Sequence, residues 1–270
     1  MPIFILDVDA TFKSVKAAKS EPLKVASANW VATGWLVARF VKTCVVIDVG
    51  STSTSIIPVI NGGILAAGKT DLEKLMNGEL VYTGSLRTNV AAIVSSVPLR
   101  NCVVRVASEL FADSGDVHLA LGNISEKEHT TETADGRGKT RREVLARLAR
   151  VVCADIEMLD KEEIVQIARY ICGEQVRQVA EALEQVFSRI KSHTNEKIPV
   201  VVTGLGKIFI ARAAAKMIGV DEVIDLEKLI FGDAFVYGIP SSASIKEGVT
   251  KASPAFGVAL MTACKLQGEN

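Results

Sequence analysis

The sequence predicts an α/β fold on three observations. Short β-rich runs end in glycine turns, as in CVVIDV at 44–49 before Gly50 and VVVTGLG at 200–206. Helix-type runs lie between them, most plainly over 141–192, which has no internal proline. The 270 residues are 49% hydrophobic, with a mean hydropathy of +0.29. That is ample for a core in one or two domains and too apolar for a disordered chain.

The elements follow in order. IFILDV at 3–8 reads as a buried strand. Residues 22–41 read as one apolar helix, with Pro22 in its first turn. CVVIDV at 44–49, the Ser/Thr turn 51–55 and IIPVI at 56–60 follow, and Asn61-Gly62 then signals a hairpin into ILAA at 64–67. Together these predict consecutive antiparallel strands. Residues 70–78 read as a short helix closed by Asn77-Gly78, with β-type runs at 79–83, 90–97 and 102–107. The stretch 112–140 is rich in Gly, Asp, Thr and Glu, and DGRGKT at 135–140 reads as a loop. Helices are expected at 141–154, 160–171 and 173–192. A strand enters the glycine turn at 204–206, a helix covers 207–218, VIDL at 223–226 is a strand, and 252–266 forms a final helix around Pro254. The expected division is 1–43, a β-rich part at 44–140, a helical subdomain at 141–197, and an α/β return at 198–270.

Composition narrows the function. Lys+Arg and Asp+Glu are both 31, so no basic field gathers nucleic acid. Aromatics make up 5%, too few for a base-stacking surface. Five cysteines without a C-x-x-C argue against a disulfide scaffold or structural zinc, and fit a reducing cytoplasm. The apolar runs are too short to span a bilayer. The first residues carry no basic stretch, so a signal peptide is not expected.

Gly63 to Thr70 matches the Walker A pattern literally, with Gly68-Lys69-Thr70 at its end. It is a poor phosphate loop. Such a loop needs pliable backbone whose amides converge on one anion, and here the middle residues are Ile-Leu-Ala-Ala. Lys69, Thr70 and Asp71 either face a site or are ordinary surface residues. The stronger feature is Asp48-Val49-Gly50-Ser51-Thr52-Ser53-Thr54. A strand delivers a carboxylate to what should be an open cleft, a glycine admits close approach, and Ser51, Thr52 and Thr54 offer hydroxyls to phosphate oxygens. Asp48 would hold Mg²⁺ through water. The same turn also reads as a plain hairpin satisfied by its own side chains.

Gly204 and Gly206 follow a strand and open a helix, the geometry of an anion site, though close strand–helix packing explains them equally. Ile208 and Phe209 stand where a dinucleotide fingerprint needs glycine. Glu109, Asp113 and Asp116 have the spacing of one helix face, which reads equally as a solvated acidic face or as a seat for a cation or a cationic substrate group. Asp135 and Arg137 sit in the glycine loop, where Arg137 suits a phosphate or carboxylate, though the loop reads also as a plain mobile surface turn. The histidines at 118, 129 and 193 show no metal spacing and read as incidental.

Six stretches resemble one family almost continuously: NWVAT at 29–33, IDVGSTSTSIIPVINGG at 47–63, AAGKTDLEKLMNGELVYTGSLRT at 66–88, RVASELFADSGDVHLALG at 105–122, DGRGK at 135–139 and VVVTGLG at 200–206. It is the archaeal hydantoinase A/oxoprolinase-like group of the actin, sugar-kinase and chaperone-ATPase superfamily. The resemblance implies a two-lobed ribonuclease-H-like fold with a helical insertion. It also implies an ether-forming transfer in methanofuran biosynthesis, in which an aminomethylfuranylmethyl group leaves its diphosphate for the phenol oxygen of γ-glutamyltyramine. The implied roles are Asp48 for Mg²⁺, Ser51, Thr52 and Thr54 for phosphates, and Arg87 or Arg137 for the released charge. Asp116 would take the phenol proton or hold the substrate ammonium. Gly204 and Gly206 would correspond to the superfamily's adenosine-side loop.

Two departures set further expectations. The family's first phosphate loop is an Asp-x-Gly-Gly turn, which Asp7-Val8-Asp9-Ala10 does not match, so ATP binding is expected to be weak or absent. Ser55 replaces the acidic residue expected after the Thr-rich turn. The competing readings are an ATP-dependent hydrolase or kinase of the same superfamily, and a non-catalytic remnant. The expected partner is a small phosphorylated molecule, not nucleic acid or membrane, with a homo-oligomer left open.

Overall fold

The computed structural model describes residues 3–194, 197–232 and 243–267. They form two compact units. The first takes the described residues up to Val49, then Thr54–Val81 and those from Ala180 onward; the second takes Gly50–Ser53 and Tyr82–Val179.

The first unit opens with an antiparallel hairpin, β1 (Phe4–Leu6) and β2 (Phe12–Ser14). Helices α1 (Val15–Ser20), α2 (Pro22–Val25) and α3 (Asn29–Ala38) follow. The single helix expected over 22–41 is therefore broken, because Ala26 turns extended and Ser27 takes a left-handed φ of 52°. Helix α3 is apolar nearly all round and buried nearly all round, from Trp30 to Ala38. Strands β3 (Cys44–Val49), β4 (Thr54–Ile60) and β5 (Gly63–Ile64) form the expected antiparallel meander. Asn61 and Gly62 both take positive φ at its tight turn, as the Asn-Gly pair predicts. The Ser/Thr turn is shorter than expected, because Thr54 and Ser55 already pair with Val49 and Asp48. Helix α4 (Asp71–Met76) and β6 (Leu80–Val81) complete this stretch.

The second unit holds α5 (Val90–Ile93), the hairpin β7 (Ser96–Leu99) and β8 (Cys102–Arg105), α6 (Ser114–Ala120) and α7 (Arg141–Arg150). The strand expected over 90–97 begins as helix instead, because the Asn89 side chain caps it by accepting from the Ala91 amide. Helix α8 (Lys161–Ile190) starts here and runs on into the first unit. It replaces two expected helices. Gly173, at the boundary between them, costs about 1 kcal/mol in a helix interior, which burial of its neighbours Ile171 and Val176 outweighs. The core of this unit gathers Val117, Leu148, Ile167 and Ile171.

Back in the first unit, β9 (Val200–Gly204) leads into a wide π-type turn at Lys207–Ala211 and then α9 (Arg212–Met217). The helix expected over 207–218 thus starts with a different winding. Strand β10 (Val223–Asp225), α10 (Leu226–Phe231), α11 (Ala243–Lys251) and α12 (Ser253–Gln267) finish the chain. The sheet order is β10-β9-β3-β4-β5, with β9 parallel to both β3 and β10 and β6 paired to β4. Except for Ile60 at the end of β4, the valines and isoleucines of β3, β4 and β9 are fully buried, as strands covered on both faces must be.

Candidate active site

Strand β3 carries Asp48 to its C-terminal end. Thr33 Oγ1 of α3 and Ser253 Oγ of α12 donate to its Oδ2 at 3.1 and 3.0 Å. Asp48 is less open than expected. Part of its surface stays accessible, yet desolvation dominates and pushes its pKa up, while Ser253 and Thr33 pull it back. Both hydrogen bonds fall on Oδ2, so Oδ1 is uncommitted among the described residues. One carboxylate with a free oxygen suits Mg²⁺, which keeps several waters and takes substrate phosphates as ligands.

Beside it, Val49 pairs with Gly204, and the Gly206 amide donates to the Val49 carbonyl at 3.2 Å. Gly204 has a φ of +86°, and a Cβ there would strike the Val49 backbone. The strand that delivers Asp48 and the strand that delivers the glycine turn therefore end together.

In the second unit, the turn Gly50–Ser53 is closed by the Gly50 amide on the Ser53 carbonyl at 3.0 Å. It is strapped from outside. The Ser85 amide donates to the Gly50 carbonyl at 2.9 Å, and the Leu86 and Arg87 amides both donate to the Ser51 carbonyl at 3.0 Å. A Cβ on Gly84 would come within 2.6 Å of the Ser51–Thr52 backbone, so only glycine fits. The turn's own donors stay unused. Among the described residues, the amides of Ser51, Thr52 and Ser53 have no acceptor, and the Ser51 and Thr52 hydroxyls touch only each other, at 3.5 Å. Arg87 is exposed, and its guanidinium has no ion partner among the described residues. Thr54, expected in this group, is instead buried within β4.

The Walker-like stretch takes another form. Gly63 lies in β5, and the Ala67 and Gly68 amides donate to the Glu79 carboxylate at 2.7 and 2.9 Å. Thr70 and Glu73 form a capping box on α4. Lys69 pairs with Asp9, and Asp71 accepts from Ser27 Oγ at 3.0 Å.

The acidic trio does not share a helix face. Glu109 is exposed outside any helix, Asp113 is the N-cap of α6, and Asp116 is its third residue. Asp116 is fully buried under Arg147 of α7, whose Nε reaches Oδ1 and Oδ2 at 2.9 and 3.0 Å and whose Nη2 reaches Oδ1 at 2.6 Å. Arg147 Nη1 also donates to Asp135 Oδ1 at 3.1 Å and to the Gly138 carbonyl at 3.0 Å. The guanidinium that organises the glycine loop is thus Arg147, while Arg137 points to solvent. Sequence reasoning missed Arg147. Its spacing from Val144, Leu148 and Val151 put a charge on the buried stripe of α7, and that was the signal.

His129 is not incidental. It is buried, with Nε2 at 3.6 Å from Asp113 Oδ1 and 3.8 Å from Asp116 Oδ1. Those distances are ion pairs and too long for hydrogen bonds. Burial pulls its pKa down, but the two carboxylates more than reverse that and raise it to about 9. Asp116 goes the other way. Desolvation raises its pKa, and His129 and Arg147 together leave it below the usual carboxylate value. Asp113, Asp116 and His129 place potential ligand atoms within 4.8 Å of one another. Arg147 already fills Asp116, so the group is a charge-balanced network. His118 is buried too, on Gln175 at 2.9 Å and Asn123 at 3.2 Å, and burial lowers its pKa to about 4.

Residues 1–230 match the family model for hydantoinase/oxoprolinase. A protein of Methanocaldococcus jannaschii named (4-{4-[2-(gamma-L-glutamylamino)ethyl]phenoxymethyl}furan-2-yl)methanamine synthase is 38% identical over 207 residues, covering 76% of this chain and 61% of that protein. A protein of the same name from Methanococcus vannielii is 31% identical over 222 residues, covering 82% of this chain and 90% of its own length. Among solved structures, nucleotide-free acetone carboxylase, described as carrying out ATP-dependent acetone carboxylation, aligns with a TM-score of 0.50 at 10% identity, covering 82% of this chain and 33% of its own. That likeness concerns the fold alone, a mixed α/β structure around a central sheet.

Proposed function

The chain belongs to the hydantoinase/oxoprolinase family, and we propose that it catalyses the ether-forming step of methanofuran biosynthesis. The bond between the furan-bearing methylene carbon and its diphosphate oxygen breaks, and the phenol oxygen of γ-glutamyltyramine bonds to that carbon. Diphosphate leaves with the bonding electrons, and the phenol proton passes to solvent or base. The observation that carries this reading is the 38% identity to the M. jannaschii synthase, whose name describes such a phenoxymethylfuran.

The chain's own residues support the chemistry. A departing diphosphate needs donors held ready where its charge grows. The unused amides of Ser51, Thr52 and Ser53 and the Ser51 and Thr52 hydroxyls offer them. Arg87, tied to the same turn by its own amide, adds a guanidinium. Asp48 would hold Mg²⁺ through water, and the ion would neutralise leaving-group charge. Asp116, committed to Arg147, positions the loop at 135–138 and does not act as a proton acceptor. A two-lobed ribonuclease-H-like fold with a helical insertion belongs to the same proposal, and the six-stranded sheet, with three antiparallel and two parallel pairings, supports it. No nucleotide is needed in this scheme.

The test is direct. The protein is incubated with the furan diphosphate, γ-glutamyltyramine and Mg²⁺, and the products are read by mass spectrometry. The ether should form without nucleotide. Ether that appears only when ATP is added would return the chain to the ATP-dependent reading, and no ether at all would remove the assignment.

A further inference from the structure

The chain has two tryptophans, Trp30 and Trp35, and both line one cavity of about 430 Å³ in the first unit. Helix α3 forms one wall, and β5 and the bend at Val8–Ala10 form others. The lining carries Arg39, Lys42 and Lys69 against a single carboxylate, Asp9, which pairs with Lys69.

The other two cations are held without an acidic partner among the described residues. The Arg39 guanidinium lies 4.4 Å from the centre of the Trp35 ring. A stacked guanidinium keeps its in-plane N–H groups available to an oxyanion. Lys42 Nζ donates to the Ala38 carbonyl at 3.3 Å. Its stem passes Gly62, where an added Cβ would meet Lys42 Cδ at 3.1 Å. Like charges at one cavity repel, and an anion between them removes that cost. Trp30 is only 3% exposed and carries Lys74 over its ring at 4.6 Å, so Trp35 and the aliphatic walls supply the surface that favours a flat apolar ring.

We infer that this cavity binds a small aromatic phosphate, with the ring against Trp35 and the aliphatic walls and the phosphate on Arg39 and Lys42. Neither Asp48 nor the turn at 50–53 lines it, so it is a second site that stands independently of the ether-forming reading.

Since both tryptophans report on this one cavity, intrinsic fluorescence reads occupancy directly, with calorimetry as a parallel readout. Phenyl phosphate is the probe. It should give a saturable change in both, with phenol and inorganic phosphate each at least about tenfold weaker. Lys42→Met and Arg39→Met should each weaken phenyl phosphate by about tenfold. Both positions are exposed, and thermal unfolding verifies that the variants stay folded. The inference is overturned if neither readout responds to phenyl phosphate. It is equally overturned if phenol or inorganic phosphate binds as well as the probe, or if both variants bind like the wild type.

Discussion

Asp116 is fully buried with three hydrogen bonds from one guanidinium, so its fate is tied to Arg147. Removing one partner of a buried pair leaves an uncompensated charge, at a cost of about 3–5 kcal/mol. Arg147→Met should therefore lower stability by about that much in chemical denaturation, and Arg147→Met with Asp116→Asn should recover part of it. A single-variant loss below about 1 kcal/mol would contradict the buried pairing. His129 makes a separate prediction. Its folded pKa of about 9 lies above the ordinary 6.5, so its contribution is complete below about 6.5 and is lost as pH rises through about 9. Stability of the wild type should fall across that window, and His129→Asn should flatten the fall. An unchanged pH profile in the variant would show that the imidazolium does not bridge the two carboxylates. At this scale the sequence exposed Asp48 and the Ser51–Thr52 turn, because a strand, a glycine and hydroxyls sit next to one another in the chain. It hid His129, because its partners are 13 and 16 positions away and only the fold brings them together.

At the scale of elements, local chemistry was legible where it was strong. Asn61-Gly62 fixed the β4–β5 turn, and unbroken β-branched runs ending in glycine turns marked β3 and β9. It failed where tertiary packing overrode local preference. The sequence reads as two helices, 160–171 and 173–192, but α8 runs through Gly173 because the helix is buried on both sides of that residue. The apolar run at 22–41 reads as one helix, but Ser27 breaks it. The closest backbone approach in the sheet gives the sharpest element-level test. Gly204→Ala must hold a left-handed backbone and push a Cβ into Val49, so it should cost at least about 1–3 kcal/mol. Thermal unfolding of Gly204→Ala within 1 °C of the wild type, a change of well under about 1 kcal/mol, would mean that β3 and β9 part at their ends.

For the whole molecule, the described residues include no helix long and apolar enough to cross a membrane. The chain matches the family model over residues 1–230 and covers 61% of the M. jannaschii synthase. What was legible here came from long continuous motifs, which no short glycine pattern could match for specificity. Substrate choice was not legible from physical reading, because a hydroxyl turn holds any phosphate ester alike. The proposed reaction is best tested by the rate of diphosphate release from the furan diphosphate in the presence of γ-glutamyltyramine and Mg²⁺, for the wild type and Asp48→Asn, with thermal unfolding alongside. Asparagine can still accept from Thr33 and Ser253 but no longer carries the charge for the cation. The account predicts diphosphate equimolar with ether in the wild type, and in a folded Asp48→Asn a rate lower by on the order of 10²–10³. A folded Asp48→Asn that releases diphosphate at the wild-type rate, or a wild type that releases none, would contradict it.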